Sequence, residues 1–172
     1  MQRRIALRPL RIVGSVAYVP LTRGFESVID LIDVPQVGCW NWFFRPSRRN
    51  RYASRMYYPA AGKPQTINLH RFLMCPAAGL VVDHINGDGL DNRRANMRVC
   101  TPTENARNTR TSISNTSGSK GVSWNAALNG WKASISVEGH PTYLGTFPSI
   151  EDAAAAYAEA SARHHGAFGR VR

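Results

Sequence analysis

Asp83 and His84 stand side by side in the chain, and Asn105 comes later at the opening of a helical segment. These are the residue types that a one-metal hydrolytic site needs. A hard divalent cation takes oxygen ligands; the Asp83 carboxylate and the Asn105 side-chain carbonyl supply two, and water and phosphate can fill the rest. A neutral histidine near its ordinary pKa can take a proton from water at neutral pH. The helix N-terminus beside Asn105 adds partial positive charge where a phosphate would sit. Strand geometry sets one condition. Neighbouring strand residues point to opposite faces, so Asp83 and His84 serve one site only if the strand ends, twists or bulges there. The competing reading is plainer: most Asp-His pairs are the entry to a turn.

The elements that must position this set can be read locally. Gly79-Leu80-Val81-Val82 is a β-branched run leading into Asp83-His84, and Asn86-Gly87-Asp88-Gly89-Leu90-Asp91-Asn92 is rich in turn formers. Asn96-Met97-Arg98-Val99-Cys100 predicts a second short strand. Thr101 as N-cap, Pro102 at the first helical position and Glu104 as the capping-box partner predict a helix, on which Asn105 and Asn108 share a face. Upstream, strand-like runs occur at 16–19, 28–32, Cys39-Trp40-Asn41-Trp42-Phe43 and 56–58, while 67–74 could start as a strand and run into a short helix, which the local pattern leaves open. Residues 111–118 are small and polar, as a flexible linker would be. Beyond them the pattern is three strands and a helix. Asn129-Gly130 marks a hairpin, Ser149 caps the helix, and Ala153, Ala156, Tyr157 and Ala160 form a small-residue stripe along it.

The whole chain has 172 residues and a formal charge of +11. Such a balance points to a polyanionic partner, nucleic acid before an anionic membrane. The excess is N-terminal: residues 1–55 hold ten arginines against three acids. Its densest part is Arg45, Arg48, Arg49, Arg51 and Arg55, interleaved with aromatic residues and expected to meet DNA phosphates. A solvated charged loop is the alternative. No apolar run is long enough for a membrane span. The basic start at Met1-Gln2-Arg3-Arg4 is a poor signal peptide, because Arg8 and Arg11 break up the apolar stretch beyond it. Cys39, Cys75 and Cys100 form neither a CxxC pair nor an even framework, which argues against a disulfide scaffold and a four-cysteine zinc site and suits a reducing cytoplasm.

The central stretch resembles the HNH homing endonucleases of the phage and intron-borne type. The resemblance is carried by Val81-Val82-Asp83-His84-Ile85-Asn86-Gly87-Asp88, Leu90-Asp91-Asn92-Arg93, Asn96-Met97-Arg98, Thr101, Glu104-Asn105 and Asn108, with His70-Arg71-Phe72 upstream. It extends over roughly residues 16–110. It implies an α+β fold with a ββα-metal nuclease core at about 79–110, preceded by a β-rich lead-in, in a domain spanning 1–110. It implies His84 as general base, Asn96 as the brace that orients it, and Asp83 and Asn105 as ligands of one divalent metal, Mg²⁺ with Mn²⁺ as the substitute and without structural zinc. Arg93 and Arg94 join the expected DNA contacts; His70 could reach the site, and a structural role is the preferred reading for it. Many members carry histidine where Asn105 stands; asparagine favours a hard cation.

Residues 119–172 resemble a second family, the Apetala-two or ethylene-response-factor DNA-binding domain, through Lys120-Gly121-Val122-Ser123-Trp124, Gly130-Trp131-Lys132-Ala133, Tyr143-Leu144-Gly145-Thr146-Phe147 and the Glu151 to Tyr157 segment. This implies a three-stranded antiparallel sheet packed on one helix and entering the major groove. The matching contact positions are Lys120, Ser123, Trp124, Trp131, Lys132, Ser134, Ser136 and Tyr143. Serines stand at 123, 134 and 136, where plant members carry charged base-reading residues. Modest binding added to the basic nuclease half through a linked site is therefore the expected role. Core packing of Trp124 or Trp131 is the plainer alternative.

Together the two resemblances imply a metal-dependent endonuclease acting on double-stranded DNA. It would have no membrane partner, act as a monomer with a dimer as the alternative, and work in the cytoplasm of a bacterial host. The rivals are a DNA-binding regulator with an inactive nuclease domain and, more weakly, an RNA-binding protein.

Overall fold

The computed structural model describes residues 6–171 apart from Arg49, Arg110 and Ile113. Arg49 of the expected basic segment, and the basic start of the chain, therefore lie outside the described residues. The chain has a mixed α/β architecture of small antiparallel sheets and few helices, and it divides after Thr101 into two compact units.

In the first unit, β1 (Arg11–Val13), β2 (Val16–Pro20) and β3 (Glu26–Asp30) form an antiparallel sheet in that order. Ala17, Val19 and Ile29 point into the core by period-two alternation. After β3 the chain turns into the short α1 (Val34–Val37), begun by Pro35 near its N-terminus. Of Cys39 to Phe43, expected as a strand, only Phe43 is in one; Cys39 to Trp42 is instead the exit from this helix. Trp42 is almost fully buried and its indole N–H donates to Val37 O, so the segment curls back and plugs the core rather than extending. Next comes a second sheet, β4 (Phe43–Pro46), β5 (Arg51–Tyr57) and β6 (Gln65–Asn68), with α2 (Leu69–Met74) continuing directly from β6. Over 67–74, which the local pattern leaves open, a strand passing into a helix is what forms. β7 (Val81–His84) and β8 (Met97–Cys100) pair antiparallel, with Asp83 opposite Arg98 and His84 opposite Met97. One apolar cluster unites these elements: Ala17, Val19, Ile29, Val37, Trp42, Ala53, Leu69, Leu73, Val82, Leu90 and Met97.

The second unit begins with α3 (Pro102–Arg107), which starts one residue after its expected cap. The division of the chain, expected inside 111–118, falls earlier. Within this unit the Lys120 ammonium donates to the carbonyls of Arg107, at 2.6 Å, and Thr109, at 2.8 Å. It thereby ties the end of α3 to the start of the next sheet. That sheet has β9 (Val122–Asn125), β10 (Gly130–Val137) and β11 (His140–Phe147) in the order β11-β10-β9. α4 (Ile150–His165) packs on one face of it. Its N-cap is Ser149, whose hydroxyl accepts from Asp152 N–H. Ala153, Tyr157 and Ala160 of the small-residue stripe are buried.

Candidate active site

β7 ends at His84, with both Asp83 and His84 still in ladder register, and Gly87 N–H returns to His84 O and closes a turn. Asp83 and His84 are both buried, at 4% and 5% exposure. The loop after β7 is held from three directions. Val28 N–H donates to Leu90 O and Asn92 N–H to Val28 O, so the loop forms a parallel bridge to β3. Asn50, from the β4–β5 turn, donates to Gly87 O and accepts from Gly89 N–H. Gly89 lies so close to β5 that a Cβ would come within 2.4 Å of Arg51 O and 2.7 Å of the Tyr52 ring, so no side chain fits there without displacing the loop. Asn96 closes the loop on itself through Asn86 and Asp91 O. Asp88 and Asp91 are loop-shaping residues, as turn chemistry implies.

The side chain that meets the His84 ring is not Asn96 but Asn92, fully buried, with its Oδ1 at 3.3 Å from His84 Nε2. The proton positions along this chain are set at its far end. Leu90 O can only accept, so Ser27 Oγ donates to it, at 2.8 Å. Ser27 Oγ therefore accepts from Asn92 Nδ2, at 2.8 Å, and that amide group also donates to Gly89 O. Asn92 thus turns its carbonyl to His84, whose Nε2 carries the proton and leaves the basic lone pair on Nδ1. Sequence reasoning missed Asn92, because an Asn after Leu90-Asp91 reads as turn chemistry. It also missed Ser27, which is 65 residues away.

The other side of the His84 ring is aromatic. His70 on α2 meets it edge-on, with ring centres 5.1 Å apart, and Tyr52 lies 5.2 Å from His70. Burial pushes the His84 pKa below its ordinary 6.5, opposed by the Asn92 bond and the nearby carboxylates. His70 is pushed down to about 3, by burial first and then by His84 and Arg71. Both imidazoles are neutral at pH 7. The stability consequence has a definite sign. A histidine whose folded pKa is depressed destabilises the fold only where the unfolded chain takes the proton and the folded one refuses it. The His70 contribution is therefore intact above about 6.5 and is lost as pH falls toward about 3. H70F should keep the ring packing and remove this dependence, gaining roughly 2–3 kcal/mol relative to wild type at pH 4. Urea unfolding at pH 7.5 and 4 would measure it; parallel pH curves for the two proteins would refute it.

Asp83 is held by Arg98, whose Nε and Nη2 donate to Asp83 Oδ2 at 2.9 and 2.7 Å. Arg93 is paired with Asp91. Arg94 forks onto the buried Asp33, while its backbone N–H donates to Asp30. Of these two expected DNA contacts, Arg93 is thus engaged within the loop, and Arg94 fastens the loop to the end of β3 and the turn after it. Arg55 is 8% exposed and stacks 4.0 Å from the Trp40 ring centre, close to Trp42 and Phe72. It is a buried cation, covered by these rings in the middle of β5, where Ala53, Ser54 and Arg55 are all buried. Arg45, Arg48 and Arg51 are exposed.

In the second unit Asn105 lies exposed on α3, whose six residues make fewer than two turns and carry little macrodipole. Of the eight contact positions expected there, register and burial separate two faces. Ser123 and Thr146 pair with Lys132, and Tyr143 pairs with Ser134, so these residues share the open face with Ser136. Trp124 pairs with Trp131 on the helix side, with ring centres 5.2 Å apart, and Trp131 packs on the core while Trp124 remains half exposed. Lys120 is half-buried on the carbonyls of Arg107 and Thr109, and burial lowers its pKa.

Residues 74–107, from the end of α2 through α3, match the family model described as HNH endonuclease. The strand end bearing Asp83 and His84 and the clamped loop behind it are thus parts of an HNH endonuclease domain. The chain belongs to the same family as Protein 3.8 of Escherichia phage T7, to which it is 35% identical over 94 residues, covering 55% of this chain and 77% of that protein. It is also 29% identical over 155 residues to Uncharacterized HNH endonuclease L560 of Acanthamoeba polyphaga mimivirus, covering 85% of this chain and 75% of that one. No solved structure matches significantly. Among the described residues no helix is long and apolar enough to cross a membrane. Nor does any group of three or more His, Cys, Asp or Glu form a metal cage among them.

Proposed function

We propose that the chain is a metal-dependent DNA endonuclease of the homing type, hydrolysing phosphodiester bonds with His84 as general base. The observation that carries this reading is the His84 ring, neutral, buried and pinned through Nε2 by Asn92 with Nδ1 as its base, inside a matched HNH domain. His84 takes the proton of the attacking water at Nδ1, and Asn92 Oδ1 holds the Nε2 proton that the charged ring then shares. Asp83 and Asn105 are the oxygen donors for one divalent ion, Mg²⁺ or Mn²⁺, within a ββα-metal core. When bound, that ion supplies polarisation of the scissile phosphate and stabilisation of the leaving 3′ oxygen. Asn96 braces the loop. Arg45, Arg48 and Arg51, on the hairpin that also carries Asn50, are the phosphate contacts of the first unit. In the second unit the open face with Ser123, Lys132, Ser134, Ser136 and Tyr143 helps to hold the target as an ethylene-response-factor-like sheet, with Trp124 at its margin.

The test is cleavage of supercoiled plasmid and phage genomic DNA with Mg²⁺ and with chelator. Nicking or discrete fragments that require the metal are expected. Tight, chelator-insensitive binding without cleavage would overturn the reading in favour of a DNA-binding regulator with an inactive domain. One observation favours that second reading: the guanidinium of Arg98 already sits on the Asp83 carboxylate.

A further inference from the structure

Asp83 and Arg98 face each other across the β7–β8 ladder. The Nε and Nη2 hydrogen bonds of Arg98 converge on one oxygen, Asp83 Oδ2. The carboxylate side chain is 5% exposed and the guanidinium 17%. A buried carboxylate deprived of its partner is costly, so the ladder supplies its own cation at the position where the metal reading needs a ligand. The two N–H bonds occupy the lone pairs of Oδ2, and a guanidinium this near repels a dication wherever on the carboxylate it approaches.

We propose that Arg98 is a built-in counter-cation for Asp83: it fixes the carboxylate before any metal is present, and metal loading proceeds in competition with it. Arg98 is thus a positioning residue that sets metal affinity. The inference rests on Asp83 being a metal ligand. It makes the domain stable without metal and weak in metal affinity, the reverse of a small metal-nucleated fold.

The experiment is Mn²⁺ titration by calorimetry of the full chain without DNA, for wild type, R98Q and R98K, with thermal unfolding in chelator and in Mn²⁺ beside it. R98Q is expected to bind Mn²⁺ roughly tenfold or more tightly than wild type, since a full positive charge a few ångströms away is removed. R98K, which keeps the charge without the fork, should show a smaller gain. R98Q should melt below wild type in chelator and recover with Mn²⁺, while the wild-type midpoint scarcely moves. Adding D83N to R98Q should abolish the gain. Should R98Q not fold without metal yet fold with Mn²⁺, the inference is supported; should it fold in neither, the R98K titration decides. Mn²⁺ binding by the variants that is equal to or weaker than wild type overturns the inference and leaves the metal-dependent reading standing. Absence of Mn²⁺ binding by every protein overturns both.

Discussion

H84A should lower the rate of DNA cleavage by at least about two to four orders of magnitude, the range that a positioned general base supplies. DNA affinity at fixed salt should change little, because His84 is buried and affinity for DNA is dominated by phosphate contacts. The structure makes this a sharp expectation. In the proposed reading the Asn92 carbonyl holds the Nε2 proton, Nδ1 is the base, and burial lowers the pKa of the ring. The acid limb of the wild-type cleavage profile should accordingly lie below pH 6.5, the ordinary histidine value. Plasmid nicking under single-turnover conditions, with DNA binding measured in parallel, would show both parts. A variant that binds DNA and cuts it undiminished would remove His84 from the mechanism.

The second large effect is expected at a residue with no chemistry of its own. N92A should reduce cleavage by about a hundredfold, the low end of what a lost general base costs, because the ring would no longer be held in one tautomer. It should also destabilise the first unit by roughly 2–4 kcal/mol, since the Asn92 amide is fully buried and its loss strands Ser27 Oγ, Gly89 O and the His84 Nε2 proton. Stability and cleavage separate by experiment. Cleavage is measured well below the melting temperature, where the variant is folded, and N92D serves as control. It restores an acceptor for His84 but cannot donate to Ser27 or Gly89, so it should regain rate more than stability. A folded N92A protein that cuts at the wild-type rate would show that the Ser27, Asn92 and His84 chain is only structural.

Several elements of this protein are decided by residues close together in the chain. β7 and β8, the turn-rich loop between them, α3 opening at Pro102 and the Ser149 cap of α4 all form where local patterning places them, because capping and turn formation act over a few residues. The Asp83 and His84 pair, the Asp88 and Asp91 turns and the closure of the loop by Asn96 are legible for the same reason. The stretch from Cys39 to Trp42 departs from its local pattern. It carries strand-forming residues, but the nearly buried Trp42 ties its indole to Val37 O and the core overrides the local preference. The charge pattern points to Arg55 as a phosphate contact, yet three aromatic rings enclose it. Arg94 answers Asp33 across 61 residues, Asn92 answers Ser27 across 65, and Arg98 reaches Asp83 through strand register. By itself the sequence determined which residues could do the chemistry and the short elements that bear them. Tertiary structure decided which charges are spent inside the protein and which nitrogen of His84 meets the Asn92 carbonyl, because burial and long-range hydrogen bonds are properties of the folded chain and not of neighbouring residues.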